Sequence, residues 1–222
     1  LIYKLTKNNT YVNALISGLY DITNNVIVDL TLNNSNSERK LYEHQYSMFN
    51  KNDIIVHDRG YFSYMVLYNL HKLNVYPVFR MKKSNQYVKQ LLKAKSNDKT
   101  YTVYYDDNTK IKFRIIKYIV SNEVYYIGTT LLDKKFTIDV LKDLYKQRWS
   151  IEEYFKFIKY NMSFKDFHSK SEKLIKQEIY VHNICIILTR TLEEMYKKYY
   201  NPDLKDKKSN FTGNIVVEIE FD

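Results

Sequence analysis

Apolar and polar positions change period several times along this chain. Residues 13–20 and 25–32 are two apolar, β-branched runs with the polar stretch 21–24 between them, which predicts a β-hairpin. The polar connector 33–37 ends in Ser37, a good helix cap, and Glu38 opens a helix predicted to run to about residue 48. Residues 53–57 are a short, continuous apolar run of the kind found in buried strands, halted by Asp58-Arg59-Gly60-Tyr61. A helix is expected over 62–73, and 75–80 reads as a further strand, with Pro77 near an edge or near its start. The order strand, strand, helix, strand, helix, strand is that of an α/β layer.

After Arg80 the pattern changes. Residues 84–100 are polar and lysine-rich, with a short helix predicted around 88–94. Runs at 101–105, 110–120 and 123–130, with turns at 106–109 and 121–122, predict an antiparallel meander inserted between two α/β parts. Thr137 then caps one long helix expected to reach about residue 160, with Asp139 in its first turn where the helix dipole favours a carboxylate. A last helix is expected over 171–199, and residues 215–221 alternate like a short strand. The chain thus divides into a first core part (1–80), a β-rich insertion (81–136), core helices (137–200) and a tail (201–222).

Charge narrows the partner. A formal net charge of +10 and a pI near 9.3 favour an anionic ligand, with nucleic acid ahead of an acidic membrane surface because no basic amphipathic helix stands out. A solubilising surplus of lysine stays open. Cys185 is the only cysteine, which excludes an internal disulfide and a cysteine zinc cluster. Its neighbours Ile184, Ile186 and Ile187 place it in the core. No signal peptide or transmembrane run is present, so a cytoplasmic protein, neither secreted nor membrane-bound, is expected.

Two places carry candidate chemistry. Asp58 follows a buried strand at its carboxyl end, where α/β proteins place ligands, and a hard cation such as magnesium would be held by such a carboxylate. Capping of the next helix is the plainer role for the same residue. Further on, Tyr145, Arg148, Glu152 and Lys159 recur at steps of three, four and seven and share one helical stripe. A phenol, a guanidinium, a carboxylate and an ammonium on one face suit a metal and a phosphodiester, but they equally describe a solvated face. His57 faces away from Asp58 and is read as packing; Trp149 is read as core packing ahead of stacking on a base. Lys82, Lys83, Lys89, Lys93 and Lys95 either track phosphates or are solvated.

The pattern Tyr145-x2-Arg148-x3-Glu152-x6-Lys159 resembles the signature around the last acidic residue of DDE transposases of the insertion-sequence 4 group. The string Val56-His57-Asp58-Arg59-Gly60-Tyr61-Phe62 resembles the segment carrying that group's second acidic residue. Gly18-Leu19-Tyr20-Asp21, Ser37-Glu38-Arg39 and Phe167-His168-Ser169-Lys170-Ser171 are also similar, so the resemblance runs from about residue 14 to 191. It implies an RNase H-like α/β fold, a mixed sheet flanked by helices and interrupted by an antiparallel β insertion. It implies two Mg2+ (or Mn2+) ions held by Asp58 and Glu152 as catalytic metal ligands. Double-stranded DNA, both transposon ends and target, would be cut and joined by in-line attack, with Tyr145, Arg148 and Lys159 binding the DNA and a homodimer forming in the DNA complex.

The family pattern requires a third acidic residue on a strand ahead of the hairpin, yet residues 1–10 contain neither Asp nor Glu. Asp21, in the hairpin turn, and Asp29, inside the second strand, are poor substitutes. The first ligand is therefore expected upstream of Leu1 or lost, the start at a residue other than methionine favouring truncation. Metal-dependent cleavage by this chain alone is then expected to be weak. A decayed, inactive remnant and a non-catalytic basic DNA-binding module are the alternatives.

Overall fold

The computed structural model describes residues 5–7, 10–12, 15–24, 26–33, 38–161, 171–200 and 215–220. In chain order its strands and helices begin with β1 (Leu5–Lys7), β2 (Thr10–Val12), β3 (Leu15–Asp21), β4 (Val26–Asn33) and α1 (Glu38–Gln45). Then come β5 (Ile54–His57), α2 (Tyr64–Lys72), β6 (Tyr76–Arg80), α3 (Gln86–Lys93), β7 (Asp98–Tyr104), β8 (Lys110–Val120) and β9 (Glu123–Thr129). The chain closes with α4 (Ile138–Lys146), α5 (Trp149–Asn161), α6 (Glu172–Tyr200) and β10 (Ile215–Glu220). The predicted Ser37 cap and most of the tail lie outside the described residues.

The elements fall into two compact units, one of residues 1–45, 150–212 and 219–222, the other of 46–149 and 213–218. In the first, β3 and β4 pair antiparallel as the hairpin pattern predicts. The Asp21 carboxylate makes the turn, accepting from the backbone N–H of Thr23 (2.8 Å) and Asn24 (3.1 Å) and from the Asn24 side-chain amide (2.6 Å). Asp29 is tied to the side-chain amide of the fully buried Gln45 (3.1 Å), which also reaches the Ser17 hydroxyl. Both carboxylates thus carry structural hydrogen bonds, which is why neither is a good metal ligand. The β1–β2 pair escaped the pattern, since runs of three residues carry no readable period.

In the same unit α1 packs on β3 and β4, and α6 on β4. The α5 residues Ile151 and Tyr154 are buried; the Tyr154 ring lies 5.4 Å from Tyr20 and its hydroxyl donates to Asn183 Oδ1 (2.8 Å). Ile175, Ile179 and Ile186 form the buried side of α6. Cys185 is exposed, contrary to expectation, because the buried stripe passes through Ile186 and leaves Ile184 and Cys185 outward. Apolar neighbours mark a segment as part of a core without saying which residue faces in.

The second unit is built on a mixed sheet in the order β10-β5-β6-β9-β8-β7. β10 and β6 flank β5 in parallel, and β9, β8 and β7 continue antiparallel from β6. The predicted meander therefore extends the sheet that holds Asp58, through the β6–β9 pairing. Helices cover the sheet: α2 on β6, α3 on β7 and β8, α4 on β8. Each helix starts on a side-chain cap, Ser63 to the Val66 N–H, Asn85 to Tyr87 and Thr137 to Val140. Pro77 is the second residue of the internal strand β6 and precedes the first β9 partner, Val78, so its missing N–H interrupts no antiparallel ladder. β7 starts three residues earlier than predicted because Arg114 on β8 grips both oxygens of Asp98 (2.8 and 2.6 Å).

The core of this unit is aromatic: His57 stacks on Phe79 (centroids 4.5 Å apart), and Phe62 on Phe113 (5.6 Å). Gly128 leaves room for Phe113; a β-carbon there would fall inside van der Waals contact with the Phe113 ring and touch Met81 Sδ. Gly128→Ala is expected to destabilise the protein by about 1–3 kcal/mol by overpacking. Denaturant unfolding checks this, and an unchanged midpoint would show that the ring moves aside freely.

Candidate active site around Asp58

β5 delivers Asp58. Its four residues are fully buried between two parallel neighbours, and the chain emerges at Asp58-Arg59-Gly60, where burial falls away. Asp58 Oδ1 accepts the N–H of Arg59 (2.7 Å), and the Tyr61 N–H donates to the Asp58 carbonyl (3.3 Å). The α2 cap is Ser63, so Asp58 does not start that helix and its second oxygen is directed elsewhere. Oδ2 lies 3.8 Å from Arg148 Nη1, a charge contact longer than a hydrogen bond. The Asp58 side chain is 36% exposed against 8% for Arg148, so a covered guanidinium looks onto a carboxylate open to solvent.

The stripe of Tyr145, Arg148, Glu152 and Lys159 does not lie on one uninterrupted helix. α4 ends at Lys146 and α5 starts at Trp149. The N–H of Gln147, in right-handed helical conformation, donates to the Asp143 and Leu144 carbonyls (3.3 and 3.2 Å), and the Arg148 N–H donates to Tyr145 O (3.1 Å). The chain tightens to three-residue bonding for one turn without a glycine or proline to announce it. Tyr145 thus stays on α4 with Leu141 and Leu144 buried beside it, and Arg148 sits in the turn with its guanidinium 5.8 Å from the Tyr145 ring centre. The Tyr145 hydroxyl is buried and meets no hydrogen-bond partner among the described residues. Burial raises its pKa far above the ordinary value; the Arg148 charge opposes the shift and the Asp58 charge adds to it.

Asp58, Tyr145 and Arg148 belong to the second unit, and Glu152 and Lys159 to the first. Glu152 is half-buried in the first turn of α5, where the dipole stabilises a carboxylate. Lys159 is on α5, and its side chain lies outside the described residues. Trp149, expected to pack inward, is 55% exposed. Trp149 is the first residue of α5, just past the break at Gln147 and Arg148, so the helical stripe of α4 does not set its side.

One cation near Asp58 was not singled out from the sequence. Arg80 ends β6 one residue after Phe79, as Asp58 follows His57, and His57 and Phe79 are partners in the parallel ladder. Its guanidinium lies 4.6 Å from the Tyr125 ring centre, and Tyr125 stacks on Tyr118. Burial pushes the Tyr118 phenol up to about 12, with Tyr125 adding to the rise and Arg80 opposing it. Strand pairing, which the sequence does not display, brings Arg80 here.

As a magnesium donor Asp58 fits in kind: a hard oxygen, half open, at the end of a rigid strand. Among the described residues, no group of three His, Cys, Asp or Glu side chains is gathered closely enough to form a metal cage. Magnesium tolerates that sparseness, since it is commonly held by one or two carboxylates with water and substrate phosphates. Among the described residues, no helix is long and apolar enough to cross a membrane.

Comparison with solved structures finds the cryo-EM structure of the piggyBac transposase synaptic complex with hairpin DNA, at TM-score 0.51 and 12% identity. The likeness covers 92% of this chain and 51% of that one, so the chain spans about half the length of that transposase. At this identity it shows a shared fold. No curated protein matches the sequence. The transposase DDE domain family, by contrast, matches residues 4–188. Because that match runs through both units and past every residue expected at the site, the chain belongs to the transposase DDE domain family.

Proposed function

We propose that this chain cuts and joins transposon-end DNA by metal-dependent phosphodiester hydrolysis and strand transfer. The observation that carries the reading is the half-open carboxylate of Asp58 at the end of a buried parallel strand, faced by the covered guanidinium of Arg148. Asp58 and Glu152 would hold Mg2+ or Mn2+, two ions in all. Bound there, the metal supplies Lewis acidity for an attacking water or 3′-hydroxyl and for the departing oxygen. Arg148 offers a planar fork to a phosphate oxygen, and its distance of 3.8 Å from Asp58 leaves room to exchange one anion for another. Tyr145, only 4% exposed, contributes by holding the guanidinium over its ring and excluding water behind it. Lys159 would meet DNA as a point charge.

The partner is double-stranded DNA, in keeping with the charge of +10 and with the DNA in the piggyBac complex. Two protomers would pair two ends. The grouping with insertion-sequence 4 transposases rests on the Tyr145, Arg148, Glu152 and Lys159 spacing. The test is strand cleavage of a plasmid bearing the element's ends. Weak cutting, in keeping with only two of the family pattern's three acidic ligands being identified, is expected in magnesium, stopped by EDTA and lost in Glu152→Gln. Cutting that persists in EDTA or in that variant would overturn the reading, whereas end binding without cutting would mark a decayed remnant.

A further inference from the structure

At the amino-terminal end of β5, opposite the end that carries Asp58, the second unit has a cavity of about 340 Å³. Lys51, Asn52, His71, Asn74, Lys110 and Lys112 contribute to its lining. The lysines arrive from separate places: Lys51 from the turn before β5, and Lys110 and Lys112 two apart on one face of β8. Two of them have neutral groups as neighbours. Lys112 Nζ donates to the Thr102 hydroxyl (3.0 Å), and Lys110 Nζ lies 5.8 Å from the Tyr104 ring centre. Among the described residues, no carboxylate lines the cavity and none forms an ion pair with any of the three.

The rim is fixed by backbone. Asn52 and Asn74 both hold left-handed conformations (φ 73° and 55°), and the Asn52 N–H donates to Asn74 O (2.9 Å). The Tyr76 N–H donates to Asp53 O (2.8 Å), joining the two turns again one step further in. Three lysines line one fixed hollow, where like charges oppose one another, and a single phosphate offers several acceptor oxygens at once.

We propose that this cavity is a second anion site, which seats a backbone phosphate of the DNA at the end of the sheet away from Asp58. The DNA as its source rests on the function proposed above; the preference for a phosphate group rests on the cavity itself. Such a contact gives the duplex a second point of attachment and fixes its course without reading sequence.

The test is anisotropy of a labelled duplex with the full chain, in EDTA, over a range of KCl. Lys110→Gln with Lys112→Gln is expected to weaken binding about tenfold near 0.1 M salt and to flatten the log K against log salt slope by about one, as for one lost phosphate contact. Lys51→Gln should give a smaller change of the same sign, and Lys110→Arg with Lys112→Arg should restore both affinity and slope. An unchanged affinity and slope in the double Gln variant overturns the proposal. So does an equal loss in Lys134→Gln with Lys173→Gln, which removes two exposed charges elsewhere. Calorimetry with inorganic phosphate separates the sources: phosphate binding that the lysine variants abolish, beside an unaltered DNA slope, makes this a free-phosphate pocket and overturns the DNA assignment. Because the anisotropy is read in EDTA and cleavage in magnesium, either proposal can fail with the other intact.

Discussion

Asp58→Asn is expected to lower magnesium-dependent strand cleavage by about three orders of magnitude, roughly 4 kcal/mol of barrier, while the protein stays folded. The amide is the informative replacement. Arg148 is 93% covered and directs its Nη1 to Asp58, so deleting the carboxylate outright with alanine removes a partner from a buried cation and confounds activity with stability. Asparagine keeps the side chain's volume and one of its two oxygens and removes the negative charge that a magnesium ion needs. The backbone bond from Arg59 N–H to the side-chain oxygen also survives, so the turn leaving β5 keeps its shape. Initial cleavage rates, with circular dichroism and a thermal melt alongside, decide the matter. A folded Asp58→Asn protein that cleaves at the wild-type rate would remove Asp58 from the metal site.

Arg148 gives this prediction a second reading in the same assay. If the guanidinium exchanges between Asp58 and a DNA phosphate, the amide variant frees it, and end binding in EDTA should hold or tighten while cutting collapses. A variant that loses cutting and binding together would instead point to a disturbed turn between α4 and α5.

The route to Asp58 was legible because it rests on short-range chemistry. A continuous apolar run reads as a buried strand, Arg59-Gly60 reads as an exit, and Ser63, Asn85 and Thr137 are caps that sit where their hydrogen bonds require. The stripe of Tyr145, Arg148 and Glu152 was legible only as spacing. The tightening at Gln147 uses ordinary helical dihedrals and no breaking residue, so periodicity passes through it unmarked, and Trp149 was consequently assigned to the wrong side. Arg80 and the basic cavity were illegible for another reason. Both arise from pairing between strands separated in sequence, β5 with β6 and β6 with β9, and a one-residue change of register would move those side chains to the opposite face.

The residue beside Asp58 should make the fold acid-sensitive. His57 is fully buried and stacked on Phe79, and burial lowers its pKa from 6.5 to about 3, with a backbone hydrogen bond at Ile55 opposing part of the shift. Between those values the unfolded chain takes up a proton that the folded chain refuses, so stability rises with pH. The contribution is fully present above about pH 6.5 and is lost as pH falls toward 3, at about 1.4 kcal/mol per pH unit. Denaturant unfolding of the wild type at about pH 7.5 and about pH 4.5 should differ by roughly 2–3 kcal/mol from this residue alone. His57→Phe keeps an aromatic partner for Phe79 and removes the titration, so its loss between the same two conditions should be smaller by that amount. Equal losses in both proteins would mean that His57 accepts its proton inside the fold. Since β5 is only four residues long and ends at the candidate metal ligand, acid should disable cleavage by loosening the strand under Asp58.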